Sequence, residues 1–108
     1  MVIEGFITTT MLDNYLDEMV NKFFKILPMK ESNEPSLYEY MSSLQVELIG
    51  CEGVIKALHE DARYLTLISI LQYLIDNDCE VKVVKREVFK AISLCKKLRK
   101  KYADTKEE

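Results

Sequence analysis

A run of apolar residues at alternating steps of four and three constrains this 108-residue chain more than any other feature. The run begins at Leu37 and continues without a fault to Leu65, which amounts to four heptads over 29 residues. Such spacing puts the apolar side chains on one face of an α-helix, as in a coiled coil. The residues predicted to form this interaction seam are Leu37, Met41, Leu44, Leu48, Ile55 and Leu58.

Two glycines, Gly50 and Gly53, lie in the middle of the seam. Each costs ~1 kcal/mol relative to Ala inside a helix. The heptad phase passes through them undisturbed, which favours one continuous central helix, although the glycines could split the segment in two. The predicted fold is therefore all-α: a small helical bundle of three helices with a long central helix, or of four helices if Gly50 and Gly53 break it.

An amphipathic helix is predicted before the seam, over about residues 10–27, where apolar residues again recur every three or four positions. Pro28 discourages its continuation, so residues 28–36 are predicted to be the one clear loop. Ser36 and Glu39 then have the spacing of a capping box, which predicts that the next helix begins there.

Acidic and amide side chains at residues 76–78 are predicted to stop the central helix and to cap the last one, over residues 81–102. The chain is predicted to be a single helical domain, because its length suffices for one core and not for two. Residues 1–9 are expected to form an N-terminal arm or a short strand, and residues 103–108 a frayed polar tail.

Composition favours a folded cytoplasmic protein and argues against a membrane protein. Apolar residues make up 48% of the chain, and its longest nearly uncharged apolar stretch, residues 64–75, is well short of the ~20 residues that span a bilayer. The N-terminus lacks the basic flank and apolar run of a signal peptide. The three cysteines are far apart and form no C-x-x-C motif, which predicts reduced thiols in a cytoplasmic protein.

Charge is distributed unevenly between an acidic body and a basic last helix. Residues 1–80 contain five basic and fourteen acidic side chains, a net charge of −9, whereas residues 81–108 contain ten basic and four acidic ones, a net charge of +6. Helical spacing places many of the basic residues opposite the apolar face of the last helix. The candidates for contact with nucleic acid or an acidic partner are Lys82, Arg86, Lys90, Lys97, Lys100 and Lys101.

Three interpretations of this basic helix remain open: a solvated face that offsets the acidic body, a surface that docks an acidic partner or a second copy, and a nucleic-acid contact. The residue types favour the first, because residues 81–108 contain no Asn or Gln to read base edges. Phe89 and Tyr102 are the only aromatic residues in this helix and stand apart from each other.

No group of residues has the spacing of a catalytic or metal site. His59 is the only histidine, and no nucleophile–base pair or phosphate-binding loop accompanies it. Residues 76–87 resemble a calcium-binding EF-hand loop in their acidic spacing, but Val81 occupies the position at which that loop needs Gly. We therefore predict no catalytic residue, no metal and no cofactor.

The leading functional prediction is a small non-enzymatic protein-interaction module, of the accessory, immunity or regulatory type. A central helix of about 40 residues would extend about 60 Å. The two flanking helices are each about half as long, so part of the apolar seam would stay open, which predicts a homodimer. A protein partner of unknown identity completes this prediction, and the alternative is a nucleic-acid-binding regulator that uses the basic C-terminal helix.

Overall fold

The computed structural model describes residues 2–4, 7–54, 58 and 61–105. Four helices account for most of this part of the chain: α1 (Thr9–Glu31), α2 (Leu37–Val54), α3 (Ala62–Asp76) and α4 (Val81–Thr105). Two short strands, β1 (Val2–Glu4) and β2 (Ile7–Thr8), precede them and form an antiparallel pair. The prediction of a helical fold is confirmed.

The first helix does not end at Pro28, as predicted, but continues to Glu31. It ends instead in a Schellman motif, in which Asn33 has a φ of 53°. The Asn33 amide donates to the Lys30 carbonyl at 3.1 Å, and the Glu34 amide donates to the Met29 carbonyl at 2.8 Å. Asn is one of the few residues that accept this left-handed backbone conformation, so the position of Asn33 determines where α1 ends.

The second helix begins where predicted, but without the predicted capping box. The Ser36 carbonyl accepts from the Tyr40 amide at 2.9 Å. The Ser36 hydroxyl, however, donates to the carboxylate of Glu34 at 3.2 Å. The helix then runs through both Gly50 and Gly53. A Cβ atom added at Gly50 would meet no other atom within 4 Å, so this glycine does not serve a close approach of another helix.

The prediction of a single long central helix is wrong, since the chain leaves the helical conformation at Asp61, between α2 and α3. Asp61 has an extended backbone, with φ −87° and ψ 116°, and its carboxylate accepts from the Arg63 amide at 2.9 Å. Asp61 is therefore the N-cap of α3. The four-helix alternative describes this part of the chain: α2 ends at Val54, just after Gly53, and α3 begins at Ala62.

At the other end of α3 the predicted stop signal is confirmed. Asn77 caps the helix: its backbone and side-chain amides both donate to the Tyr73 carbonyl, at 3.1 and 2.8 Å. The Glu80 carbonyl then accepts the first helical hydrogen bonds of α4. This last helix continues to Thr105, beyond the predicted start of the polar tail at residue 103.

The four helices form a ring in which each packs against two others: α1 against α4 and α2, and α3 against α4 and α2. The resulting bundle measures 45 × 21 × 19 Å, and α2 and α4 occupy opposite corners. Because α2 and α3 run in opposite directions, the residues that a single long helix would display along 60 Å instead face a shared core.

That core takes in the predicted interaction seam. Leu48 and Leu58 are completely buried, Met41 and Leu44 are buried, and Leu37 is half-buried against them; Ile55 lies outside the described residues. The heptad pattern no longer marks the buried face after Asp61, since Leu65, its last residue, is 39% exposed. The core face of α3 is formed by Tyr64, Leu67, Ile70, Leu71 and Leu74.

The largest completely buried side chain, Tyr64, ties α3 to α2. Its hydroxyl donates to the Leu48 carbonyl at 2.7 Å and lies 3.4 Å from the hydroxyl of Tyr15 on α1. Burial raises the pKa of Tyr64 far above its usual range, so the hydroxyl stays protonated and available as a donor. Three helices thus meet at one hydrogen-bonded phenol in an otherwise apolar core.

Truncating the seam should destabilise a single chain rather than dissociate a dimer. We expect Leu48→Ala to lower the free energy of unfolding by about 2–5 kcal/mol, because the residue is fully buried. Val46→Ala, two residues away on the same helix and 68% exposed, is the matched control and should change the free energy of unfolding by less than about 0.5 kcal/mol. Urea unfolding followed by circular dichroism at two protein concentrations measures both, and a Leu48→Ala midpoint that rises with concentration would place the seam between chains.

Candidate nucleic-acid interface

The outer face of α4 brings together all six basic residues that the sequence singles out. Each is exposed to solvent. At 3.6 residues per turn they fall within a sector of about 100°, and from Lys82 to Lys100 they extend over roughly 27 Å at 1.5 Å per residue. The opposite side of α4 is buried against α1 and α3. We call this surface, formed by Lys82, Arg86, Lys90, Lys97, Lys100 and Lys101, the basic face.

A seventh cation, Arg63, joins the basic face from α3. It lies beside the C-terminal half of α4, where Arg63, Lys97, Lys100 and Lys101 line an open depression of about 530 Å³. The sequence did not identify Arg63 as part of this surface, because no pattern in the chain reports which residue of α3 faces α4. Only the packing of the two helices puts it here.

Lys101 is held in place by an ion pair with a buried carboxylate. Its ammonium donates to Asp61 at 2.7 Å, and the Asp61 side chain is only 4% exposed. Burial by itself would raise the pKa of Asp61, but the hydrogen bonds from Lys101 and from the Arg63 amide outweigh it and lower that pKa. The charge of Lys101 is therefore committed to Asp61, and its contribution to the basic face is mainly to fix the end of α4 against the start of α3.

Part of the positive charge of α4 is neutralised by acidic side chains of α1 and of α4 itself. Arg99 donates to Asp13 at 3.0 and 3.3 Å and to Asp17 at 2.8 Å, which joins α4 to α1. Arg86 pairs with Glu87 at 3.1 Å on the surface. Both pairs reduce the charge that α4 can offer to a ligand.

Four cations of the basic face form no ion pair with a described carboxylate. Within the part of the chain that the structure describes, no carboxylate forms an ion pair with Lys82, Lys90, Lys97 or Lys100. All four are exposed, so they are hydrated and available to an anion. Arg63, at the rim of the same surface, likewise forms no ion pair with a described carboxylate.

The side of the bundle opposite α4 carries acidic residues. The helix at the opposite corner, α2, contains Glu39, Glu47 and Glu52 and no Lys or Arg. Of these, Glu47 pairs with Lys22 of α1 at 2.9 Å. The basic face and α2 therefore lie at opposite corners of a bundle about 20 Å thick.

Other candidate chemistry is sparse among the described residues. The cysteines are free thiols, and burial raises the pKa of Cys95 to about 12, which makes it a poor nucleophile at neutral pH. No group of three or more acidic, His or Cys side chains in this part of the chain could hold a metal ion. His59 lies outside it. Among the helices described, none is long and apolar enough to cross a bilayer.

Comparison with known proteins finds no match to a family model, to a curated protein or to a solved structure. The site is therefore interpreted from its own geometry and charge.

The Asp61 carboxylate should stabilise the fold only while it is ionised. Its pKa in the folded protein lies below the unfolded value of about 3.9, so its contribution is complete above that value and is lost as the pH falls through the folded pKa. We expect Asp61→Asn to lower the free energy of unfolding by about 1–3 kcal/mol at pH 7, and the difference from wild type to shrink below about pH 4. Thermal unfolding between pH 2.5 and 7 tests this.

Asp78→Asn is the control for that experiment, since the Asp78 side chain is 99% exposed although it pairs with Lys30. It should change stability by less than about 1 kcal/mol, as expected for a surface ion pair. Equal losses in the two variants would show that Asp61 does not act through its buried contacts.

Proposed function

We propose that the protein is a small non-enzymatic module that binds nucleic acid through the basic face of α4. The observation that carries the proposal is the depression in which Arg63, Lys97 and Lys100, from two helices, converge; none of the described residues in its lining is acidic. A rigid row of cations that neutralises several phosphates releases their counterions, which drives binding.

The kinds of basic residue indicate the mode of recognition. Most of the basic face is lysine, a flexible point charge that contacts phosphates and reads no base pattern. Residues 81–108 contain no Asn or Gln. The proposed binding is therefore tolerant of nucleotide sequence and dominated by the backbone charge of the ligand.

The same proposal includes a reducing, cytoplasmic compartment. Its support is that Cys51, Cys79 and Cys95 are all free thiols. Unpaired cysteines are usual where glutathione and thioredoxin keep thiols reduced.

A second candidate function, self-association, has a different surface to support it. With the seam enclosed in the bundle, the exposed apolar side chains of α2 and α3 take its place: Val46 is 68% exposed, Ile49 49% and Leu65 39%. The bond from Tyr64 to the Leu48 carbonyl brings these parts of the two helices together. Exposed apolar side chains on two packed helices suit a second copy of the chain.

The nucleic-acid proposal predicts binding that weakens steeply with salt. If four or five phosphates are contacted, raising the salt from 50 to 200 mM should reduce duplex affinity by about 100- to 1,000-fold. Lys97→Gln/Lys100→Gln should weaken binding at 50 mM salt and make the salt dependence less steep by about two phosphates. Fluorescence anisotropy of labelled mixed-sequence DNA and RNA measures both effects.

Lys22→Gln/Lys30→Gln is the control, because it removes the same charge from α1, outside the basic face, at two lysines that are each paired with a carboxylate. Its affinity should stay close to that of the wild type. Absence of binding at 50 mM salt, or equal losses in the two double variants, would contradict the proposed interface.

The self-association candidate predicts a dimer whose mass survives high salt, because the exposed patch is apolar. Val46→Lys/Ile49→Lys should convert that dimer to a monomer without unfolding it, since both side chains already face solvent. Sedimentation velocity at 0.5 M salt is the measurement. A wild-type chain that sediments as a monomer at high micromolar concentration would remove this candidate.

A further inference from the structure

Two phenylalanines form an exposed aromatic pair where α1 meets α4. The rings of Phe24 and Phe89 lie 5.8 Å apart at an interplanar angle of 89°, an edge-to-face arrangement. Phe24 is 43% exposed and Phe89 is 45% exposed, whereas Phe23, the neighbour of Phe24 in the chain, is completely buried. The pair therefore presents ring surface to solvent in a geometry fixed by two packed helices.

Basic residues surround this aromatic pair. Lys85 and Arg86 lie one helical turn before Phe89 on α4, and both are exposed. Phe24 is followed by the exposed Lys25 on α1. Along α4, Phe89 lies between two residues of the basic face, Lys82 and Lys97.

We propose that the Phe24–Phe89 pair is a base-stacking platform and that the ligand of the basic face is a single-stranded nucleic acid. The inference rests on the proposed nucleic-acid function and names its substrate class. Cations that follow a backbone, interleaved with exposed aromatic rings, are the combination by which proteins hold single strands. A duplex keeps the faces of its bases stacked on each other, so it gains nothing from such a platform.

The geometry gives the strand a path along α4. From Phe89 to the basic depression at Lys97 and Lys100 is about 12–17 Å along the helix. A strand can place one base against the aromatic pair and its following phosphates in that depression. Because every base has a π-face, stacking adds affinity without adding sequence preference, in agreement with the absence of base-reading Asn and Gln side chains from α4.

Phe89→Leu tests the platform, since Leu keeps an apolar side chain at this exposed position but removes the aromatic face. We expect it to weaken binding of a single-stranded oligothymidylate by about 5- to 100-fold, with duplex affinity unchanged. An oligonucleotide that contains 2-aminopurine gives a second readout, because its fluorescence falls when the base stacks. That quenching should be present with the wild type and lost with Phe89→Leu.

Tyr73→Leu is the matched control, since Tyr73 is 44% exposed, almost as much as Phe89, but lies on α3. It should bind the single strand as the wild type does. Thermal unfolding of both variants confirms that each is folded at the assay temperature.

The outcomes separate this inference from the proposed function. If Lys97→Gln/Lys100→Gln weakens binding while Phe89→Leu and Tyr73→Leu behave alike, the interface stands and the stacking platform is overturned. If the wild type binds neither single strand nor duplex at 50 mM salt, both proposals fall. Loss of duplex and single-strand binding together in a folded Phe89→Leu protein also overturns the platform, because stacking is specific to unpaired bases.

Discussion

The closed bundle depends on the buried carboxylate of Asp61. As the N-cap of α3 it breaks what periodicity alone would extend into one long helix, and so allows α3 to fold back on α2. Burying a carboxylate is costly unless both oxygens are bonded, and here one accepts from the Arg63 amide and the other from Lys101. The same residue therefore closes the core and fixes the end of α4 beside the basic depression. The bonds of the Asp61 carboxylate thus stabilise both the fold and the candidate site.

The two sides of α4 use positive charge for different purposes. Towards α1, Arg99 is held by two carboxylates, Asp13 and Asp17, and this network helps to fasten the helices that share the largest contact of the bundle. Towards solvent, Lys97 and Lys100 have no described partner. The described carboxylates that pair with α4 contact Arg86, Arg99 and Lys101, so Lys97 and Lys100 stay available to an anion. This division between paired and unpaired cations is the strongest reason to propose a ligand for α4.

Helical periodicity predicted most of the fold, and its failures are local. It identified the helices and the stop before α4, because apolar spacing and Asn or Asp caps are properties of neighbouring residues. It missed the break at Asp61 because the seam's spacing continues from Leu58 to Leu65 although their environments differ, the one buried and the other 39% exposed. It ended α1 too early, because the helix continues through Pro28 and stops only at the Schellman motif of Asn33. Asp61 before an apolar run was a usable capping signal that the heptad pattern overrode.

Only part of the candidate site could be predicted from the sequence, because the rest depends on which residues of different helices pack together. The basic face follows from helical spacing within α4 alone. Arg63 and Phe24 belong to other helices, and Phe89 stands alone in its own, so the sequence could not show that they meet. Phe23 and Phe24 differ by 100° around α1, and of the two only Phe23 is buried. Packing of α1 against α4 then sets the exposed ring of Phe24 against that of Phe89, which turns two ordinary exposed residues into one surface of fixed geometry among cations.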